Sequence, residues 1–262
     1  MDHKKNKPEE RYIVPAVEQA CRVLFCLERA DSSHLGLLTI AAQVGIHKSK
    51  AFSILQTLQH CGLVQRNSGG KGYGLGPGLI GLSRKFLDNV SALALAEPVL
   101  EDLARKFGAT AAFGLMAGKN VFVAARREGG QAIAVTMRVG QRFPLTYGSH
   151  GKAIAAFLPE KELDVLLKDK KLYFHGDPAR FDRKRLLEEI GRCRRDWFAE
   201  DAGEASPGLN VAAAPVLGPD GRPIGYMVVL GLPSAEAMHQ SGPFIAEAAK
   251  GLSRRMGARI NG

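Results

Sequence analysis

The chain is poor in cysteine and tryptophan and has no long apolar run. Its four cysteines (Cys21, Cys26, Cys61 and Cys193) are scattered over 262 residues. That is too few for a disulfide framework, and no CxxC pair offers the spacing of a zinc site. Charge or glycine breaks every apolar stretch well short of the roughly 20 residues a membrane helix needs. The opening MDHKKNKPEERY is basic but lacks the apolar core of a signal peptide. The seven histidines form neither HxH nor HExxH. These absences exclude a disulfide scaffold, a zinc ribbon and a helical membrane protein. The expectation is a cytoplasmic chain with no membrane association, no metal and no cofactor.

What is present is ordinary globular composition, 45% hydrophobic and 24% charged. The length suits two domains better than one. Net charge is +10, and it is uneven. The first 90 residues carry 12 Lys and Arg against 7 Asp and Glu, while the other 172 carry 24 against 19. The excess is thus about twice as dense in the first third. This favours an anionic partner, but charge alone identifies none.

Residues 1–12 read as a flexible tail, and helical periodicity starts at Pro15 with Val17, Cys21, Leu24 and Leu27. A short second helix follows, with Thr39 as its cap and Ile40, Ala41 and Val44 as its apolar side. Gly45 ends it and Ile46 plugs the corner. A third helix runs from Lys48 to about Cys61, with Ala51, Ile54, Leu55 and Leu58 on one face. Its other face presents Lys48, Ser49, Lys50, Ser53, Gln56, Thr57 and His60. Alone, this is a plain amphipathic helix with a solvated side. The hairpin that follows changes the reading: residues 63–67, a turn at Ser68-Gly69-Gly70, and a return from Lys71 to Leu75. Three helices and a glycine-rich hairpin make a winged helix-turn-helix over 13–76. Its partner is then double-stranded DNA, met by the third helix and by Arg66 and Lys71 on the wing.

Gly76-Pro77-Gly78-Leu79-Ile80-Gly81 matches GxGxxG but lies outside any βαβ unit, so a dinucleotide site is rejected. A linker helix is expected over 77–90, its stripe Leu79, Leu82, Phe86 and Val90 facing its own chain or a second copy. Residues 91–262 read as an α+β domain, an antiparallel sheet flanked by helices. Its elements are a helix over 91–107, a hairpin over 110–127, a strand over 131–138 and helices over 151–158, 160–167 and 182–196. Two strands (209–217, 223–232) and a last helix over 243–260 close it. No catalytic group stands out. Ser149 lacks the GxSxG elbow, and Gly151-Lys152 lacks a phosphate-loop context; Glu200, Asp201 and Glu204 form an acidic loop that could touch a ligand, a solvated surface loop being the commoner explanation.

Several blocks carry a resemblance. In the first third they are AVEQACRVLFCL, LLTIAAQVGIHKSKAFSILQTLQHCGLV and YGLGPGLIGL. Later come GQRFPLTYGSHGKAIAAFLP and GLNVAAAPVLGPDGRPIGYMVVLGLP. In order and spacing the chain resembles the IclR-type bacterial transcriptional regulators from about Pro15 onward. The resemblance implies a winged helix-turn-helix, a linker helix and a GAF-like domain that binds a small effector, an organic acid or an aromatic catabolite. It also implies a homodimer or homotetramer on palindromic operators. Pocket positions of relatives map onto Thr136, Met137, Phe143, Leu145, Ser149, Gly151, Asp201, Glu204 and Val211. Phe143, Leu145 and Val211 read equally well as core. Two departures stand out: Ser53 replaces the family's usual arginine, and Tyr147 replaces a small residue near the pocket mouth. Two other readings remain. One is a constitutive DNA-binding protein with a ligand-free, oligomerising second domain. The other is a small-molecule enzyme, for which no nucleophile and base at usable spacing are visible.

Overall fold

The computed structural model describes residues 12–260 apart from 68, 71, 90, 131–134 and 136. It divides into two compact units, the first ending at Asn89. In the first unit α1 (Pro15–Glu28), α2 (Leu37–Val44) and α3 (Lys48–His60) precede a hairpin of β1 (Val64–Arg66) and β2 (Tyr73–Leu75). A core with Val23, Ile40, Val44 and Leu55 at its centre is closed by Val64 and Tyr73 of the hairpin. Leu35 pairs with Tyr73, both backbone N–H groups donating across, which ties the strand entering α2 to the wing.

Gly45 ends α2 in the left-handed region and Ile46 packs on the core, as the sequence led one to expect. Two details differ. α2 starts at Leu37 with Gly36 before it, so Thr39 lies inside the first turn and caps nothing. On α1 the buried stripe is turned toward Ala20, Val23 and Leu27, and Val17 and Cys21 are exposed. Both α2 and α3 pack against α1, and Val23 and Leu27 are the α1 residues buried in the shared core. Gly76 and Gly78 donate their N–H groups to the carbonyls of Leu63 and Gly62, so they steer the chain out of the wing and into α4 (Gly78–Asn89).

In the second unit, α5 (Ser91–Phe107) leads into an all-antiparallel six-stranded sheet of order β5-β4-β3-β8-β7-β6. The strands are β3 (Thr110–Ala117), β4 (Asn120–Arg127), β5 (Arg142–Pro144), β6 (Ala199–Ala202), β7 (Asn210–Leu217) and β8 (Pro223–Leu232). Alternation along the strands splits the core into two layers. Ala111, Phe113, Met227 and Val229 face α5 and the long α9 (Ala235–Arg255). Ala112, Tyr226, Val228 and Leu230 face the other layer, built from α6 (Gly148–Phe157), α7 (Glu160–Leu166) and α8 (Arg183–Asp196).

Three sequence expectations change here. α9 begins at Ala235, where the Ser234 hydroxyl caps it by accepting from the Ala237 N–H, and Pro243 lies inside the helix. A long buried helix absorbs the one lost backbone bond. The expected strand over 131–138 lies mostly outside the described residues, and Val135, Met137 and Arg138 carry no strand pairing. Glu200 and Asp201, expected in a solvated loop, form strand β6, with Asp201 buried.

β3 and β8 approach closely at Gly114, where a Cβ would stand 2.2 Å from the Tyr226 ring. Gly114→Ala is therefore expected to cost about 1–3 kcal/mol through overpacking. Gly251, inside α9 with nothing within 4 Å of a Cβ, gives the opposite expectation. Gly251→Ala should gain up to about 1 kcal/mol of helix stability. Urea unfolding of both variants checks the pair, and a neutral Gly114→Ala would contradict the packing described.

Candidate functional site

Two surfaces carry the chemistry. On α3 the expected outward residues Lys48, Ser49, Lys50, Ser53, Gln56 and Thr57 are all exposed, while Ala51, Leu55 and Leu58 anchor the back. The Ser53 hydroxyl donates to the Ser49 carbonyl at 3.1 Å, and the Thr57 hydroxyl to the Ser53 carbonyl at 3.0 Å. On the wing, Arg66 lies over the Tyr73 ring, 4.8 Å from its centroid, and donates to the Tyr73 hydroxyl. That cross-strand pair fixes the direction of the guanidinium. Lys71 lies outside the described residues.

The second surface is a cavity of about 220 Å³ in the second unit, at the N-terminal end of α6. Phe143 enters it from β5, Tyr147 to His150 from the head of α6, Asp201 from β6, and Ala205, Ser206 and Leu209 from the chain that follows. Val211, Val228 and Leu230 of the sheet form its floor. Five expected pocket residues, Met137, Phe143, Ser149, Asp201 and Val211, thus meet around one space. Leu145 and Gly151 stand behind the wall, Leu145 in the core and Gly151 against the Leu145 and Thr146 backbone. Glu204 faces a neighbouring cleft, and Thr136 lies outside the described residues.

The sequence did not single out His150, Gln141, Ser206 or Leu209 for this cavity. The aromatic wall is continuous: Phe143 and Tyr147 lie 5.3 Å apart, and His150 stacks on Tyr226 at 4.6 Å. Burial pushes His150 down to about 3. Asp201 accepts from the backbone N–H of Glu204 at 2.7 Å and of Ala205 at 3.2 Å. Burial raises its carboxyl, against these hydrogen bonds and the charge of Lys152. Gly148 has φ +50°, and a Cβ there would lie 2.8 Å from an Asp201 carboxylate oxygen, so only glycine fits both backbone and neighbour. The Tyr147 hydroxyl donates to the Ala205 carbonyl at 3.0 Å, tying the loop after β6 to α6. Among the described residues, no lysine or arginine lines the cavity.

Behind this wall lies a charge network. Lys152 on α6 is 1% exposed, and its ammonium stands 3.0 Å from Glu189 and 3.6 Å from Glu204. It also donates to the Glu200 carbonyl at 3.4 Å. Arg185 pairs with Glu204 at 2.6 Å and with Glu189 at 3.0 Å. His175 accepts the Asp182 N–H on Nδ1, so Nε2 carries the proton that meets Glu189 at 2.9 Å. Burial alone would raise the Glu189 carboxyl, but Lys152 and then His175 hold it below its ordinary range. The carboxylates and imidazole gather as donors around a cation would. The ammonium of Lys152 is the cation that sits beside them. The sequence signal was a lone lysine in the otherwise apolar run Gly151–Ala156.

An exposed polar helix backed by a wing, on a chain with a separate ligand-sized cavity, defines a DNA-binding protein with a second, α+β domain. Comparison with known proteins supplies the family. Residues 16–68 match the IclR helix-turn-helix domain and residues 84–250 the bacterial transcriptional regulator IclR C-terminal domain. The chain is 27% identical over 248 residues to the HTH-type transcriptional regulator XynR of Escherichia coli, covering 94% of this chain and 98% of that one. It is 29% identical over 209 residues to the glycerol operon regulatory protein of Streptomyces griseus, covering 78% and 79%. The crystal structure of an IclR transcriptional regulator from Alicyclobacillus acidocaldarius aligns with a TM-score of 0.80 at 25% identity, over 93% of this chain and 99% of that one. An IclR homolog from Microbacterium hydrocarbonoxydans, complexed with 4-hydroxybenzoate, shares the fold with a TM-score of 0.71 at 20% identity, over 92% and 98%. The chain belongs to the IclR family and is a DNA-binding transcriptional regulator.

Two outcomes test the geometry. Lys152→Met leaves buried carboxylates without their cation and should cost about 3–5 kcal/mol. Arg185→Met, on a half-exposed partner, should cost under about 1 kcal/mol. Equal losses in denaturant unfolding would contradict a buried Lys152. For His150 the folded value lies below the unfolded one, so the unfolded chain takes up the extra proton. The stability this residue contributes is complete above about 6.5, the ordinary histidine value, and is lost as pH falls toward about 3. Unfolding measured at pH 7 and pH 5 should therefore show a smaller loss in His150→Phe than in the parent chain.

Proposed function

We propose that this regulator binds operator DNA through α3 and the wing, and that a small aromatic effector in the α6 cavity modulates that binding. The single supporting observation is the convergence of Met137, Phe143, Ser149, Asp201 and Val211 on one mostly apolar cavity. Aromatic walls and several polar points, among them the Ser149 hydroxyl and the Asp201 carboxylate, suit a flat ring with a hydroxyl substituent. A carboxylate on the same ring would meet the α6 N-terminus, since no cationic side chain is at hand. This favours the aromatic half of the sequence expectation over a small, strongly charged acid. The 4-hydroxybenzoate bound by the Microbacterium homolog has this form.

On the DNA side, Lys48, Lys50, Arg66 and Lys71 contact phosphates, while Ser49, Ser53, Gln56 and Thr57 face the major groove. Residues 1–12 act as a tail, 13–76 read DNA, 77–90 link, and 91–262 bind effector and self-associate. The functional unit is a homodimer or homotetramer on a palindromic site. Exposed Ile80 and Leu82 on α4 support self-association. The effector acts only by its differential affinity for the DNA-competent and DNA-incompetent states.

Thermal unfolding with 4-hydroxybenzoate, phenol, benzoate and pyruvate tests the pocket. A bound compound at about 100 times its Kd adds about 2.7 kcal/mol, a rise of several degrees for a chain of this size. The hydroxylated ring should shift unfolding and pyruvate should not. Shifts from pyruvate alone would contradict the aromatic reading, and no shift from any compound of either class would favour a ligand-free oligomerising domain.

A further inference from the structure

We propose that Phe52 reads DNA bases: its ring meets thymine C5-methyl groups in the major groove, so that α3 selects A·T pairs. The proposal rests on α3 being the reading helix. Phe52 is 43% exposed on α3 and lies outside the core cluster of its unit. All the other exposed residues of this helix are polar. A single exposed aromatic is ordinary on a protein surface and carries nothing by itself. Its neighbours supply the argument.

Phe52 lies one turn from Gln56 on the same side of the helix, and one turn from Ser49 in the other direction. Ser53 and Thr57 have already given their hydroxyl protons to the carbonyls of Ser49 and Ser53, so toward DNA they present acceptors. The helix contains no arginine, so the bidentate guanidinium contact to guanine O6 and N7 is absent. Next to Phe52 stands the Gln56 amide, whose matching base edge is adenine N6 and N7. The only major-groove group that rewards an apolar surface is the thymine methyl. Adjacent side chains on one helix face thus select the two members of the same base pair. Lys48 and Lys50, in the first turn, supply phosphate contacts that carry no sequence information.

Replacing thymine by deoxyuridine removes the methyl and leaves every hydrogen-bonding edge unchanged. The full chain is used to select its consensus from random duplexes, and each thymine of that consensus is then replaced singly. Fluorescence anisotropy reads the affinities. The wild-type chain should lose about three- to fivefold at one or two positions of each half-site, the size expected for one buried methyl. Phe52→Ala should bind thymine and deoxyuridine duplexes equally, and Phe52→Leu should keep part of the difference. Tolerance of deoxyuridine at every position by the wild type, or an undiminished loss in Phe52→Ala, would overturn the assignment. Failure to enrich any duplex would overturn sequence-specific reading by α3 itself, a separate outcome from the failure of Phe52 alone. Phe52 is not among the buried residues of the unit, so unchanged circular dichroism of Phe52→Ala is expected. Should it misfold, Phe52→Leu alone decides.

Discussion

The buried ammonium of Lys152 is the constraint on which the second, α+β domain depends. A charge taken out of water must be met, or the fold loses several kcal/mol. Meeting it fixes α8, which carries Glu189, against α6, which carries the lysine. It also fixes the end of β6 and the turn beyond it, through the Glu200 carbonyl and Glu204. Ser149 lies one turn before Lys152 on α6, and Asp201 follows Glu200 on β6. The polar points of the cavity are therefore held by the same charge network that closes the wall behind them. The buried His175 and the half-exposed Arg185 complete it.

The same economy governs the DNA-binding unit on a smaller scale. Three helices and a two-stranded wing share one core among the described residues, and the wing contributes Val64 and Tyr73 to it. Tyr73 pairs with Leu35, packs into that core and holds Arg66 by its ring and hydroxyl. A basic group on the wing is thereby pre-positioned, which lowers the entropy lost on reaching a phosphate. On α3 the outward hydroxyls of Ser53 and Thr57 donate to the helix itself, which leaves Gln56 and Phe52 as the proposed readers.

How much of this was legible in the sequence depended on the range of the forces involved. α2 and α3 could be read because Ile40, Ala41 and Val44, then Ala51, Leu55 and Leu58, repeat at helical spacing and are buried. The hairpin was signalled by its glycines and the GAF-like domain by blocks in family order. β5 and β6, three and four residues long, were too short to show a period of two. The start of α9 was misread because Pro243 resembles a helix opening, whereas the actual cap is Ser234. The acidic stretch at 200–204 was read two ways, as a solvated loop from its composition and as pocket positions at Asp201 and Glu204 from the resemblance, and the structure buries Asp201 in the cavity wall. Asp201 and Glu204 look solvated until α6 brings Gly148 and Lys152 against them, and positions 152, 175, 189 and 204 share no local spacing. Five pocket residues could be carried over from the family pattern one at a time. His150 was not among those positions, and its place in the wall needed the fold.

The central claim is that occupancy of the α6 cavity changes DNA affinity. Its most direct test is fluorescence anisotropy on a duplex selected by the full chain, with and without 4-hydroxybenzoate, phenol and benzoate. Parent and Ser149→Trp chains are compared, the indole filling the cavity. The account predicts that at least one of these rings changes the Kd of the parent by about 5- to 150-fold, the usual range of allosteric coupling. Ser149→Trp should bind DNA and ignore all three compounds. The same response in both proteins would place the effector elsewhere and contradict the account.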